Sequence, residues 1–327
     1  MHSSINLPGD EWSLSAFEDA AALRKFCNRH GCDGIELILC GDDFSKFEAG
    51  IVRGLHLVFF PEWISLWRND FEYLDSEFGS RAAWQDFYRA QDAEGLLSVY
   101  RRELDCAQRL GAQYVVFHMG DNALGEYFTR KPRWSEREQL EASIEFLNCL
   151  FGGMEYSFDL LLENMWLGCM NLTNAASTQR ALEGVRHPGT GLMLDTGHLM
   201  ATCPGGLTDP EEACRYIHSV LDEHGGLGAR IFGVHLHASL SGAYLAEMPC
   251  IPPWQSQRTV PDYIERYGMT NEHMCRVDPH NAFLAKGLPE LIGRIGPKYL
   301  VHELSRRNME DWERKLTAQR RALEAVG

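Results

Sequence analysis

Short apolar runs of strand length alternate with longer amphipathic stretches along this chain, the pattern of repeated β-α units around a parallel sheet. Strands are predicted at Ser4 to Leu7, Gly34 to Leu39, Gly54 to Phe60, Gln113 to His118, Phe158 to Glu163, Gly191 to Asp195, Ile231 to Leu236 and Tyr299 to Glu303. Helical periodicity fills the intervals, among them Leu14 to Arg29, Arg81 to Leu110, Ser135 to Leu150, Asp209 to Glu223 and Met309 to Val326. Eight strand-helix pairs predict an α/β fold, a (β/α)8 TIM barrel in one domain over residues 1–327, with its functional site where the strands end. Two connections, after strands 3 and 7, are too long for bare loops: Pro61 to Ser80, which carries Trp63, Trp67, Phe71 and Tyr73, and Ala238 to Asn281. Connections beyond ~15 residues usually act as lids or carry structure of their own.

The apolar runs end on carboxylates and imidazoles. Gly191-Leu-Met-Leu-Asp195-Thr-Gly-His198 places two metal-ligand side chains just past a strand, and His118, Glu163, His235, His237 and Glu303 close four others. A single strand-terminal Asp is ordinarily a helix N-cap. Five such terminations point instead to a shared site.

Side chains alternate faces along a strand, so parity tests which of these groups can meet. His235 and His237 share a face, whereas His302 and Glu303 oppose each other. Glu303 is the expected ligand of that pair, because Val301 then fills the barrel layer below it, as Leu161 does under Glu163 and Val116 under His118. Glu163, Asp195, His235 and Glu303 would converge from four successive strands on one half of the barrel mouth. Such a set suits Mn2+, Zn2+, Co2+ or Fe2+, whereas Ca2+ and Mg2+ prefer oxygen-only ligands.

His118, His198 and the loop pair Asp278 and His280 exceed what one ion needs, so one to three ions per chain are expected, the groups left over binding substrate. His56 and His237 are read as site wall or polar core rather than ligands. Glu36 either binds substrate or backs a ligand from behind. Trp166, like Trp63 and Trp67, either stacks on a substrate ring or packs apolar surface. Arg130, Lys131, Arg133, Arg306 and Arg307 either hold a substrate phosphate or form solvated faces.

A net charge of -15 and a pI near 5.3 argue against broad charge-driven nucleic-acid binding, which needs Lys and Arg along the phosphates. Ten cysteines without a C-x-x-C pair are expected to be free thiols, several of them buried. No apolar run approaches the ~18 residues of a membrane span, and no signal-peptide pattern follows Met1, so a cytoplasmic location is expected.

Gly34-Ile-Glu36, Phe117-His118, Glu163-Asn164, Asp195 to His198, His235-Leu236 and the terminal Glu303 together resemble the xylose-isomerase-like TIM-barrel superfamily, which holds sugar isomerases, epimerases and endonuclease IV-type nucleases. The resemblance implies two arrangements. In the epimerase-like one, Glu163, Asp195, His235 and Glu303 hold one ion, both Glu act as catalytic acid and base, and His198 contacts substrate. In the nuclease-like one, His118, Glu163, Asp195, His198, His235, Asp278, His280 and Glu303 share a zinc cluster. The superfamily's further His after strand 3 has no expected match, since His56 is placed mid-strand.

The leading functional expectation is a metal-dependent isomerase or epimerase of a small sugar, sugar phosphate or related hydroxy-carbonyl compound. Metal-assisted phosphoester hydrolysis is the alternative, and a passive metal- or sugar-binding module is a third class. A small-molecule partner is expected rather than nucleic acid or a membrane, and a homo-oligomer is compatible with the sequence.

Overall fold

The computed structural model describes residues 1–40, 47 and 50–324. Eight parallel strands close into a barrel in sequence order: β1 His2–Pro8, β2 Gly34–Ile38, β3 Val52–His56, β4 Tyr114–His118, β5 Asp159–Glu163, β6 Thr190–Asp195, β7 Ile231–Leu236 and β8 Tyr299–His302. β1 pairs with both β2 and β8, which completes the ring. The chain is therefore the expected (β/α)8 barrel. Among the described residues, no helix is long and apolar enough to cross a membrane.

Parity works as expected inside the barrel. Tyr114, Val116, Leu161, Met193, Tyr299 and Val301 form a closed apolar plug, and the strand residues two positions on stand above it. Gly54 makes room for the plug, since a Cβ there would lie 2.1 Å from the Tyr114 ring. His302 points the other way, where its Nδ1 accepts from Gln319 at 2.8 Å and burial pushes its pKa down to about 4.

Several boundaries differ from expectation. β1 is longer than four residues, and β8 ends at His302. The expected helix Leu14 to Arg29 is split into Glu11–Leu14 and Ala20–Arg29, the second capped by Asp19. Arg81 to Leu110 is split where Arg89 turns left-handed at φ 53° and Asp92 caps the next helix, Ala93–Leu110. The last helix spans Met309–Glu324, and the expected end at Val326 lies outside the described residues. All ten cysteines are free, and Cys27, Cys32, Cys106, Cys169 and Cys214 are buried.

The consequential difference is β3, which ends at His56 rather than Phe60. The Val58 N–H donates to the Glu103 carboxylate at 2.7 Å, so the backbone leaves the ladder there. Phe60 packs on Tyr88 and Phe87 outside the barrel.

Both long connections carry helices. Ile64–Trp67 and Phe71–Phe78 occupy the first, and Gly242–Glu247 and Tyr263–Val277 the second. They are joined through Glu62, a buried carboxyl that accepts from the hydroxyls of Tyr73 at 2.9 Å and Tyr263 at 3.2 Å. Burial pushes its pKa up to about 8. Phe78 stacks on Tyr263 with ring centroids 3.7 Å apart, and Arg266 pairs with Glu77 at 2.6 Å. The second excursion closes at its base, where Ala238 and Asn281 exchange two backbone hydrogen bonds of 2.7 and 3.1 Å.

Candidate metal centre

The C-terminal strand ends bring the polar groups together in one buried cluster. Glu163 lies at its middle, 1% exposed. Its Oε2 is 3.2 Å from Nε2 of both His56 and His118, and its Oε1 is 3.3 Å from His235 Nδ1 and 3.5 Å from His198 Nδ1. The two Nε2 atoms of His56 and His118 are 3.0 Å apart. His56 Nδ1 donates to the Leu57 carbonyl at 2.9 Å, which leaves a lone pair on Nε2 in the neutral ring. Two imidazole nitrogens thus face one carboxylate oxygen, an arrangement that a shared cation satisfies.

His56 and His237, read from the sequence as site wall or polar core, both stand among the candidate ligands. The first was hidden by the misplaced end of β3. The second carried a signal in its H-x-H spacing with His235. His237 Nε2 lies 2.9 Å from Asp195 Oδ2, and its ring stacks on His280 with centroids 4.1 Å apart. A Cβ on residue 197 would fall 2.0 Å from that ring, so Gly197 in the D-T-G-H run is what admits it.

Asp195 serves two roles at once. Its Oδ1 caps the helix Thr196–Ala201 by accepting from the His198 N–H at 2.6 Å, while Oδ2 turns into the cluster. Asn164 locks the adjoining strand ends, donating to the Asp195 carbonyl at 3.0 Å and accepting from its N–H at 2.8 Å.

His235 Nδ1 is buried, makes no hydrogen bond, and faces three carboxylates: Glu303 at 3.0 Å, Glu163 at 3.3 Å and Asp195 at 3.8 Å. Glu303 Oε2 is likewise buried without a hydrogen-bond partner. Several carboxylates around one orphaned imidazole nitrogen are costly without a cation, so these residues fit a divalent ion. Behind the ring, His235 Nε2 meets the Glu36 carboxylate at 3.1 Å, and Asn6 donates to the same group at 3.1 Å. Glu36 thus lies behind the His235 ring with no exposed surface. This is the carboxylate-His pairing that fixes a metal-binding imidazole.

The remaining pair arrives through the Ala238–Asn281 closure. Asp278 Oδ2 lies 3.3 Å from both His198 Nε2 and His280 Nδ1, and Ser239 donates to Asp278 Oδ1. Candidate ligand atoms of four sets lie within 4.8 Å of one another: His56, His118 and Glu163; Glu163, Asp195 and His198; Asp195, His235 and Glu303; and His237, His280 and Glu303.

Beside the cluster lies a cavity of about 380 Å3 whose walls include Phe59, Met165, Trp166 and, from the second excursion, Met274. Trp166 thus faces the site, whereas Trp63 and Trp67 pack on Phe146 away from it. Arg133 pairs with Asp70 at 2.7 Å, outside this cavity.

Burial acts to lower the pKa of His56 and His280. Glu163 nevertheless lifts the first to about 9, and Asp278 with Glu303 lifts the second to about 10. Both rings therefore hold their protons at pH 7 when no ion is bound, and an ion must displace them. Adding zinc to chelator-treated protein at pH 7 is expected to release two or more protons per chain, since neighbouring carboxylates raise His198 and His235 as well against the effect of burial, with affinity rising as pH rises toward 9. A pH indicator in weak buffer reads this directly, and an absent release would refute it.

The sequence matches the description xylose isomerase-like TIM barrel over residues 24–243. No protein of curated function matches it. Among solved structures, a D-tagatose 3-epimerase-like protein shares 14% identity and a TM-score of 0.55, covering 100% of this chain and 98% of its own. A 3-keto-D-glucoside 4-epimerase from E. coli shares 12% identity at TM-score 0.54, with 99% and 100% covered. Endonuclease IV from Thermus thermophilus shares 17% identity at TM-score 0.51, with both chains covered throughout. At these identities the likeness is one of fold, and epimerases and a nuclease stand equally near. The closed eight-stranded barrel and the match across more than half of its length together show that this chain belongs to the xylose isomerase-like TIM barrel family.

Proposed function

We propose that this protein is a metal-dependent hydrolase of small phosphoesters. The observation that carries the reading is the surplus of donors around Glu163, Asp195, His235 and Glu303. His56 and His118 flank that set on one side, and His198, Asp278 and His280 flank it on the other. One ion is satisfied by about four such groups, so the cluster suits two or three. Divalent ions held there supply Lewis acidity and neutralise charge on a phosphoryl group.

The chain's own groups divide the remaining work. Trp166, Phe59 and Met274 seat the organic part of the substrate, and the helix Tyr263–Val277 shields the cavity from water. Glu303 reaches the cavity and lies 3.6 Å from His280 Nε2 through its Oε1. Both groups stand where a phosphoryl group entering from the cavity would meet the ions, and they act there as donors to the ions rather than as proton carriers. A cavity of about 380 Å3 admits a small molecule, and the net charge of -15 disfavours a polymeric nucleic acid.

A second reading, a sugar isomerase or epimerase, draws support from Glu163 and Glu303, which face His235 Nδ1 at 3.3 and 3.0 Å. One experiment separates the two. Metal content per chain is measured on protein purified without chelator, and turnover is then assayed with bis(p-nitrophenyl) phosphate and a ketose panel in D2O. Two or three ions with phosphoester cleavage are expected. A single ion, with deuterium entering a ketose and no phosphoester cleaved, would overturn the hydrolase.

A further inference from the structure

Arg306 stands three residues beyond Glu303, and its surroundings are unlike those of Arg133 and Arg307. Arg133 pairs with Asp70 and Arg307 with Asp311, but no carboxylate among the described residues pairs with Arg306. Its guanidinium is sandwiched between indoles, 4.3 Å from the Trp312 ring centroid and 4.9 Å from that of Trp12. Nη2 donates to the Ser13 carbonyl at 3.3 Å, and Nη1 is buried with no acceptor. Asp10, whose charge it feels, is turned toward Ser13, accepting from that residue's N–H at 2.9 Å and its hydroxyl at 2.7 Å.

An unpaired, half-buried guanidinium is uncommon in folded proteins, the more so in a chain with 46 acidic residues against 31 basic. Stacking holds the fork flat and fixes its direction, which suits it to a planar or phosphate oxyanion. The fork forms part of the wall of a recess of about 290 Å3 that also includes Asn6, His280 and Glu303. His280 and Glu303 belong equally to the apolar cavity on the other side of the cluster, whose lining contains neither Lys nor Arg. Trp12, which also lines the recess, is 61% exposed, and an exposed ring changes rotamer within nanoseconds, so the wall beside the guanidinium can yield to an incoming anion.

We propose that Arg306 is a substrate-binding residue for a second oxyanion, so that the natural substrate is a small phosphoester carrying a further carboxylate or phosphate. The substrate class rests on the hydrolase reading above. The site has three parts: an apolar side takes the organic group, the metal cluster takes the scissile phosphoryl group, and the Arg306 recess takes the remote anion. Binding by Arg306 needs no turnover, which separates its test from that reading.

Zinc-loaded full-length protein is titrated by calorimetry with ethyl phosphate, phosphoglycolate and ethylene glycol bisphosphate. A charge-assisted pair at Arg306 is expected to make at least one probe with two anionic groups bind about tenfold tighter than ethyl phosphate, which has one. The probe that gains tells carboxylate from phosphate. Arg306→Gln is expected to erase the gain and leave ethyl phosphate unchanged. Arg306→Lys, which keeps charge without the planar fork, is expected to retain part of it and decides the matter if the Gln variant does not fold. Comparison of succinate with butyrate repeats the test without phosphorus, so a protein that binds no phosphoester still reports on Arg306. No gain with any probe carrying a second anionic group in the unaltered protein, or a gain undiminished in both variants, would overturn the assignment.

Discussion

Glu163→Gln is expected to lower turnover by roughly 10^3-fold or more and to remove at least one ion per chain. The carboxylate is the common neighbour of four imidazoles, with His56 and His118 on one oxygen and His198 and His235 on the other. Burial acts to raise its pKa, yet His118 and His235 hold it well below the ordinary carboxylate range. An amide of the same shape supplies no charge and turns an N–H2 toward nitrogens that must themselves donate electrons. Because size and shape are unchanged, the far-ultraviolet circular dichroism should match that of the unaltered protein. Metal analysis alongside turnover checks the result, and an active variant with full metal content would remove Glu163 from the machinery.

Chelation is expected to lower the melting temperature by about 10 °C or more. Each ion bound only by the folded chain at a free concentration a thousandfold above its Kd adds about 4 kcal/mol. In a chain of this size each kcal/mol moves Tm by roughly 1–2 °C. Two ions therefore account for a shift of that order. The ion-free cluster has a fallback, because its histidines can take protons and pair with Glu163, Asp278 and Glu303. Scanning calorimetry with and without chelator measures the difference. An unchanged Tm would mean that this fallback is the working state and that no ion is tightly held.

The barrel was legible because each strand repeats a local signal, apolar residues closed by a polar one, and local signals do not depend on distant contacts. The parity argument at Val301, His302 and Glu303 worked for the same reason: neighbouring side chains must take opposite faces. What escaped was decided by partners far away in the chain. The end of β3 is set by Glu103 taking the Val58 N–H, and that makes His56 the last residue of the strand, at the barrel mouth with the cluster, rather than a mid-strand residue. Asp278 and His280 were visible as a D-x-H, but their arrival depends on the Ala238–Asn281 closure at the foot of a long excursion. The role of Glu36 was left between two readings, and the contact that bears on them, the His235 ring lying against it, is not visible in the sequence.

The buried carboxyl of Glu62 has a kinetic consequence. The helix Tyr263–Val277 walls the cavity, and it is fastened to the other excursion by the Tyr263 hydroxyl, the Phe78 stack and the Arg266–Glu77 pair. Lifting that helix would strip Glu62 of one of its donors and break all three fastenings together, so there is no cheap partial opening. Passage beneath that helix, by ion or small molecule, would wait on one concerted event. For whatever takes that route, the residence time of the ions and the ceiling on turnover would then be two readings of one clock.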